Sequence, residues 1–360
     1  MSENMIDDLI LAADIGGTNT NLALVSHTQG NFTIVLSRRY STQAETSLIE
    51  PMARFLDLAR NEGLGGHVKV CCISAAGPVK DGAIQLTNAP WAIHASEINE
   101  RFGFSVHLIN DFTAISYAVV LLDAAKRKEM TPIPHTDGSE PLPGTGVALV
   151  VGAGTGLGVG FVDKHADGSC IVYPSEGGHS SLPCWDDLSF AFFRWVKAKI
   201  GFDPGIELAV SGQGIDNIFS FLCSEAFDPR STNYAIDEVP APFALSILAK
   251  PEHERPALIA SNRENDPRCS LAMELFCEFY ARKVSSLAAS FLPSGGIYLA
   301  GGISSKNESF LLENHRFMRI FESNYAPHIR EMLSKTSVVI VKNYSISLIG
   351  AANAAVQLGR

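Results

Sequence analysis

The sequence predicts an α/β fold made of two related units, and three observations lead to it. Apolar runs of strand length alternate with segments of helical periodicity, which is the pattern of sheets covered by helices. Two of these runs end in glycine-rich turns that coincide after a shift of 138 residues, so that Asp14 falls on Gly152 and Gly16 on Gly154. With 360 residues, of which 46% are hydrophobic, the chain is long enough for about two domains.

The first part of the chain predicts a strand, a glycine turn and a second strand, followed by further strands and two helices. Apolar spacing favours helices over residues 46–61 and 112–128, and the second of these begins directly after Asn110 and Asp111. Strand-like runs lie at residues 9–13, 22–25, 32–36, 68–74 and 106–109.

The second part repeats this order and adds helices. Residues 130–146 are rich in proline and glycine and predict a loop. Strands are predicted at 147–151, 297–300 and 338–341, and helices at 187–200, 270–292 and 348–358. The polar segment 225–268 predicts a surface elaboration with a short helix at 242–248. The domain prediction is a small α/β domain of residues 1–110 plus about 346–360, and a large α/β domain of residues 111–345.

Charge and cysteine content limit the possible functions. The chain has 28 basic and 38 acidic residues, a formal net charge of −10, which argues against a nucleic-acid surface or a polybasic membrane anchor. None of the seven cysteines forms a CxxC pair, which is typical of reduced thiols. The acidic first residues do not resemble a leader, and no apolar run approaches the ~18 residues of a membrane span, so a cytoplasmic location is expected.

The glycine turns carry the chemistry that the sequence predicts first. The chain has no Gly-Lys dipeptide and therefore no Walker A loop, and neither glycine cluster fits GxGxxG. A turn between two strands can still offer the backbone N–H groups of Gly16 and Gly17 and the hydroxyl of Thr18 to phosphate oxygens, while Asp14 holds Mg²⁺ through water. One such turn alone would be an ordinary hairpin, but a second turn and the pair Gly301-Gly302 favour a phosphate site.

Seven motifs occur in an order that resembles one enzyme family. They are LAADIGGTNTNLAL, LTNAPW, LINDFTA, VVGAGTGLGVGF, SEGGH, ELAVSGQG and YLAGGIS, and they span essentially the whole chain. The order is similar to that of bacterial-type glucokinases, which are ATP-dependent sugar kinases of the actin-like superfamily. The resemblance implies a two-lobed actin-like ATPase fold, a duplicated α/β unit with the active-site cleft between the lobes.

The resemblance also implies a reaction and a set of residues. The reaction is transfer of the γ-phosphate of ATP to the 6-hydroxyl of D-glucose, with Asp111 as general base and Mg²⁺ as cofactor. Since Asp111 opens a predicted helix, the helix dipole should favour its ionised form. The implied glucose ligands are Asn88, Asn110, Asp111, Glu176, His179 and Glu207. The implied nucleotide ligands are Asp14, Gly16, Gly17, Thr18, Asn19, Gly154, Thr155, Gly301 and Gly302.

Zinc is not expected, although four potential ligands lie close together in the sequence. The spacings between His165, Cys170, His179 and Cys184 match no standard zinc module. The related ROK kinases follow a similar motif with a cluster of cysteines that binds zinc. Here only Cys184 follows, so the chain resembles the zinc-free glucokinases.

Several alternatives stay open at this stage. A kinase for another hexose, such as fructose, mannose or an amino sugar, would use the same hydroxyl ligands, because motifs do not report pocket shape. A non-enzymatic sugar-sensing protein could share the fold. ADP or polyphosphate could replace ATP as donor, the oligomeric state is open although family members are commonly homodimers, and the segments 129–146 and 225–268 have no assigned role.

Overall fold

The computed structural model describes residues 9–64, 68–86, 89–123, 126–342 and 346–359. Contacts divide the chain into two compact units. Unit 1 comprises Met1–Asp123, Gly160–Pro174 and Asn343–Arg360, and unit 2 comprises Ala124–Val159 and Ser175–Lys342. Unit 1 therefore includes residues 111–123 and 160–174, which the sequence analysis assigned to the large domain.

The described residues up to Asp123 form a mixed sheet, a small three-stranded sheet and three helices. The strands are β1 (Leu9–Ile15), β2 (Asn19–Thr28), β3 (Asn31–Ser41), β4 (Val68–Ala75), β5 (Val79–Lys80), β6 (Ala83–Gln85), β7 (Ala92–His94) and β8 (Ser105–Asn110). The helices are α1 (Ile49–Asn61), α2 (Ala95–Phe102) and α3 (Asp111–Val119). Helix α3 ends well before residue 128, because Leu121 and Leu122 donate to carbonyls three residues back and tighten the last turn.

The mixed sheet of unit 1 brings the ends of three strands to the same end of the sheet. Its order is β3-β2-β1-β4-β8, with β1 antiparallel to β2 and parallel to β4, and β4 parallel to β8. In the register of the parallel strands, Ile15 lies beside Ala75, and Ala75 lies beside Asn110. The carboxyl ends of β1, β4 and β8 therefore lie side by side, and α3 starts at this end of the sheet. The core of the unit includes Leu11, Phe55 and Ile73, all fully buried.

The remaining described residues contain six strands and ten helices. The strands are β9 (Met130–Pro132), β10 (Gly146–Ala153), β11 (Leu157–Lys164), β12 (Cys170–Tyr173), β13 (Ile297–Ala300) and β14 (Val338–Val341). The helices are α4 (Asp187–Ile200), α5 (Gly212–Leu222), α6 (Pro242–Leu248), α7 (Arg255–Ser261), α8 (Pro267–Phe291), α9 (Gly302–Lys306), α10 (Glu308–Leu312), α11 (Arg316–Phe321), α12 (Pro327–Leu333) and α13 (Ile346–Leu358). None of the helices in the described residues combines the length and the apolar character needed to cross a bilayer.

In unit 2, the strands β10, β13, β14 and β9 lie side by side in that order. The first three are parallel, and β9 pairs antiparallel with β14. The prediction of a loop over 130–146 is therefore wrong at its start, because the three residues of β9 complete the edge of this sheet. Helix α8 covers the sheet, and the buried hydroxyl of Tyr280 lies 3.0 Å from the carbonyl oxygen of Val151. The elaboration at 225–268 contains α6 and α7, and α7 packs on α5 and α8.

The internal repeat predicted from the two glycine turns is confirmed. Strand β1 ends at Ile15 and β2 begins at Asn19, while β10 ends at Ala153 and β11 begins at Leu157, so both hairpins coincide after the shift of 138 residues. In each unit the first strand of the hairpin is flanked by a parallel strand, and that strand by a second parallel one. The predicted α/β fold class is correct.

Candidate active-site residues of the two units

The first glycine turn is held in place by its carbonyl groups. Thr42 donates its hydroxyl to the carbonyl oxygen of Gly16 at 2.8 Å and its N–H to that of Thr18 at 2.9 Å. Gln43 donates its side-chain amide to the carbonyl oxygen of Gly17 at 2.7 Å. Because a trans peptide directs its N–H opposite to its C=O, the N–H groups of Gly17 and Thr18 are directed away from this segment. The turn thus presents donors in a fixed arrangement, as an anion site requires.

Two further residues complete this turn. The N–H of Gly16 donates to the carbonyl oxygen of Asn19 at 2.8 Å, and Asn19 is the first residue of β2. The side chain of Thr18 lies at the exposed tip. The N–H of Gly16 is therefore used within the turn and is not offered to phosphate as predicted, whereas Gly17 and Thr18 lie on the short connection between β1 and β2.

Asp14 lies near the end of β1 with both carboxylate oxygens hydrogen-bonded. Ser74 on β4, its neighbour in the register, donates to Oδ1 at 3.2 Å, and Ser347 on α13 donates to Oδ2 at 3.0 Å. Burial raises the pKa of Asp14 above its ordinary 3.8, and the hydrogen bonds from Ser347, Ser74 and Asn21 oppose that shift. Sequence reasoning missed both serines, since neither stands in a glycine motif.

Asp111 is the first residue of α3 and follows directly after the last residue of β8. Asn110 caps the helix, because its side-chain oxygen accepts the N–H of Phe112 at 2.8 Å, and an oxygen of Asp111 accepts the same N–H at 2.8 Å. Burial raises the pKa of Asp111, the N–H of Phe112 lowers it, and the negative charge of Asp14 raises it further. The helix N-terminus acts as predicted, but burial outweighs it. A carboxylate with a raised pKa is a stronger base.

The second glycine turn closes on itself and on two neighbouring elements. Gly154 donates its N–H to the carbonyl oxygen of Gly156 at 2.9 Å and accepts the N–H of Gly212, at the start of α5, at 2.8 Å. A Cβ built on Gly301 would lie 2.3 Å from the carbonyl oxygen of Ala153, and the φ of Gly301 is +87°. Only glycine fits there. The exposed Thr155 and the pair Gly301-Gly302 therefore lie where the parallel strands β10 and β13 end.

Glu207 contacts this second turn directly. Its Oε2 accepts the N–H of Leu157 at 2.8 Å, and a Cβ built on Gly156 would lie 2.5 Å from the same oxygen. Ser211 donates its hydroxyl to the carbonyl oxygen of Glu207 at 2.7 Å and caps α5 by accepting the N–H of Gly214. The carboxylate is therefore attached to the turn by one oxygen, while the other oxygen stays available to a ligand.

Glu176 and His179 lie on the adjoining loop. Their side chains are 85% and 66% exposed, and His179 Nε2 lies 3.7 Å from Glu176 Oε2. A Cβ built on Gly178 would lie 1.9 Å from the carbonyl oxygen of Leu157, so this glycine lets the loop pack onto β11. The N–H of Ile206 donates to the carbonyl oxygen of Ser180 at 2.8 Å, which joins the segment of Glu207 to the same loop. Unit 2 thus brings Glu176, His179 and Glu207 together.

Asn88 falls outside the described residues. In the part of the chain that the structure does describe, no group of three or more His, Cys, Asp or Glu side chains could hold a metal ion.

Comparisons with known proteins identify the family. Residues 11–358 match the family model described as Glucokinase. A glucokinase from Nostoc punctiforme is 30% identical over 97% of this chain and 99% of that protein. A crystal structure of a glucokinase from an Antarctic psychrotroph superposes with a TM-score of 0.77 at 26% identity, covering 97% of this chain and 98% of that one. A ROK family glucokinase from Streptomyces griseus, in complex with glucose and AMPPNP, has a TM-score of 0.58 at 20% identity, covering 97% and 99%. The chain belongs to the glucokinase family.

Proposed function

We propose that this protein transfers the γ-phosphate of ATP to the 6-hydroxyl of D-glucose, giving glucose 6-phosphate and ADP. The observation that carries the proposal is Asp111, a partly buried carboxylate with a raised pKa at the junction of β8 and α3, in a chain that belongs to the glucokinase family. Membership of the family also makes a kinase of another hexose, or a sugar sensor without activity, the less favoured reading.

Asp111 is proposed as the general base. Phosphoryl transfer depends mainly on positioning and charge stabilisation, so the base needs only to receive the hydroxyl proton as the oxygen approaches phosphorus. Partial burial supports this role, because it raises the proton affinity of the carboxylate.

The nucleotide phosphates are proposed to bind at the glycine turns. In unit 1 the donors are the N–H groups of Gly17 and Thr18. In unit 2 they are proposed to be the exposed Thr155 and the start of α9 at Gly302, while Gly154 shapes the turn, because its own N–H donates to Gly156. Backbone donors suit a protein with a net charge of −10, because they bind phosphate without adding lysines or arginines.

Asp14 is the proposed holder of Mg²⁺, and its surroundings fit that ion. Its carboxylate accepts hydrogen bonds from Ser74, Ser347 and Asn21, which leaves one of its about four lone-pair sites for the ion or a bound water. Oxygen ligands and bound waters are what Mg²⁺ prefers. When bound with the nucleotide, Mg²⁺ neutralises phosphate charge.

The sugar is proposed to bind through Asn88, Asn110, Asp111, Glu176, His179 and Glu207. Carboxylates, amides and an imidazole can pair with vicinal hydroxyl groups, which is the recognition that a hexose requires. Support comes from the hydrogen bond of Ile206 to Ser180, which holds the segment of Glu207 beside the loop of Glu176 and His179. The exposed side chains of Glu176 and His179 are accessible to a ligand.

The cytoplasm is the proposed location. Support comes from the thiols, since all seven cysteines are free and five of them are buried, namely Cys71, Cys72, Cys170, Cys269 and Cys277. Free thiols are typical of a reducing compartment.

The test is a coupled assay of glucose-dependent phosphate transfer, with fructose, mannose and glucosamine as competing sugars and ATP, ADP and polyphosphate as donors. The expected result is turnover with glucose and ATP. Asp111→Asn should lower kcat by about 10²- to 10⁴-fold while glucose binding, followed by tryptophan fluorescence, is retained. Asp57→Asn, at an exposed position of α1, is the matched control and should behave as the parent. Absence of glucose-dependent ATP turnover would refute the function, and an Asp111→Asn variant with more than a few per cent of the parent's activity would refute the base.

A further inference from the structure

Helix α13 reaches Asp14 through one hydroxyl. Ser347, in the first turn of α13, donates to Asp14 Oδ2 at 3.0 Å. Ser74 donates to Oδ1 at 3.2 Å, but its hydroxyl also lies 3.1 Å from the carbonyl oxygen of Ala13, and one proton serves both acceptors. Ser347 therefore gives the shorter bond to the carboxylate. Together the two serines fix its rotation from opposite elements of unit 1.

The same helix is locked to α3, which carries Asp111 at its start. A Cβ built on Gly350 would lie 1.8 Å from the carbonyl oxygen of Ala114, so the two helices touch backbone to backbone. Three residues further on, the side-chain amide of Asn353 donates to the carbonyl oxygen of Tyr117 at 2.8 Å, and Asn353 is buried. The contact leaves α13 little freedom to shift relative to α3, because a close-packed backbone contact does not yield.

These contacts connect the carboxylates of Asp14 and Asp111 through helix α13. Asp14 is bonded to α13 by Ser347, and Asp111 opens the helix on which α13 is packed. A carboxylate on a two-bond side chain could otherwise rotate, since the glycine turn that follows it fixes only the backbone. The hydroxyl of Ser347 restrains Oδ2 from α13, beside the hydrogen bonds that Ser74 and Asn21 give to the same carboxylate.

We propose that Ser347 is a positioning residue that holds the Asp14 carboxylate in the orientation needed for the magnesium–nucleotide complex and aligns it with Asp111. The proposal rests on the proposed function, because it takes Asp14 as the residue that faces this complex. Ser347 itself touches neither substrate.

The experiment measures binding rather than turnover. Three variants are compared with the parent by isothermal titration of ADP, once with excess Mg²⁺ and once with EDTA. Ser347→Ala removes the hydroxyl, and Ser347→Thr keeps it. Gln357→Ala removes hydrogen bonds at the other end of α13, to Gly168 and Asn353, and so tests a general loosening of the helix. Glucose binding is followed by tryptophan fluorescence and folding by the melting temperature.

Ser347→Ala is expected to weaken binding of ADP with Mg²⁺ by about tenfold, the order expected for one hydrogen bond to a charged group whose partner Ser74 remains. Binding of ADP in EDTA and binding of glucose should stay at the parental values, and the melting temperature should fall by no more than the few degrees that one lost hydrogen bond costs. Ser347→Thr should restore the magnesium-dependent affinity, and Gln357→Ala should leave it unchanged.

The possible failures are distinguishable. Equal losses with Mg²⁺ and with EDTA, or a parallel loss of glucose affinity, would assign Ser347 a structural role only and overturn the proposal. An unchanged affinity in Ser347→Ala would do the same. A parent that binds ADP with Mg²⁺ but does not phosphorylate glucose would refute the proposed function and leave the role of Ser347 to be decided by these binding constants.

Discussion

Replacing Gly156 with alanine is expected to displace the Glu207 carboxylate without unfolding unit 2. The new Cβ would lie 2.5 Å from Glu207 Oε2 and 3.2 Å from its carboxyl carbon. The same oxygen accepts the N–H of Leu157 at 2.8 Å, so the carboxylate cannot retreat and keep that bond. Since an ordinary C···O contact is about 3.4 Å, the oxygen must move by roughly 1 Å.

The displacement has two calculable effects. A shift of about 1 Å in a group that positions the substrate costs on the order of 100-fold, so kcat/KM for glucose should fall by about that factor, or ~2.7 kcal/mol of transition-state stabilisation. Loss of the hydrogen bond between Glu207 and Leu157 costs about 1.5–3 kcal/mol of stability, which should lower the melting temperature by a few degrees.

The assay is steady-state kinetics over a range of glucose concentrations, together with thermal unfolding. Gly212→Ala is the matched control, because a Cβ at that position meets only ordinary contacts, at 3.6 Å from the carbonyl oxygen of Gly154 and 3.8 Å from Pro256, and its N–H bond to Gly154 is kept. The reasoning fails if Gly156→Ala stays within twofold of the parent, or if Gly212→Ala loses as much activity.

Three other predictions concern Asp111, Tyr280 and Gly350. The acid limb of the kcat profile should lie above pH 3.8, because burial raises the pKa of Asp111 and the base is lost as the pH falls through that raised value; a limb at or below the ordinary value in a pH-rate profile would contradict the burial argument. Tyr280→Phe should lower the free energy of unfolding by about 1–3 kcal/mol in chemical denaturation, because the buried hydroxyl donates to the carbonyl oxygen of Val151 at 3.0 Å and lies 3.1 Å from the hydroxyl of Ser304. An unchanged free energy of unfolding would mean that Val151 and Ser304 form other hydrogen bonds in the variant. Gly350→Ala should destabilise the protein by about 3 kcal/mol or more, measured as a lower melting temperature or loss of soluble protein, because α13 must move away from Ala114; a variant as stable as the parent would show that the two helices can separate.

Much of the fold follows from signals that act over a few residues. Helix α4 lies where the sequence predicts it, because Asp186 forms a capping box with Ser189 and Gly201 ends the helix in the left-handed conformation. The strands β13 and β14 coincide with their apolar runs. The short helices α9 to α12 gave no comparable signal, because each spans about two turns or less and depends on its packing.

The candidate site divides in the same way. The α/β class, the internal repeat and the motif residues at the ends of β1, β8 and β10 could be predicted from the amino-acid sequence, because glycine turns and helix caps are local properties of the chain. The groups that contact those residues became known from the packing of the folded chain. Ser74 and Ser347 lie 60 and 333 positions from Asp14, and Glu207 lies 50 positions from Leu157. Such contacts are set by strand register and helix packing, which bring together residues whose spacing in the sequence carries no periodic signal.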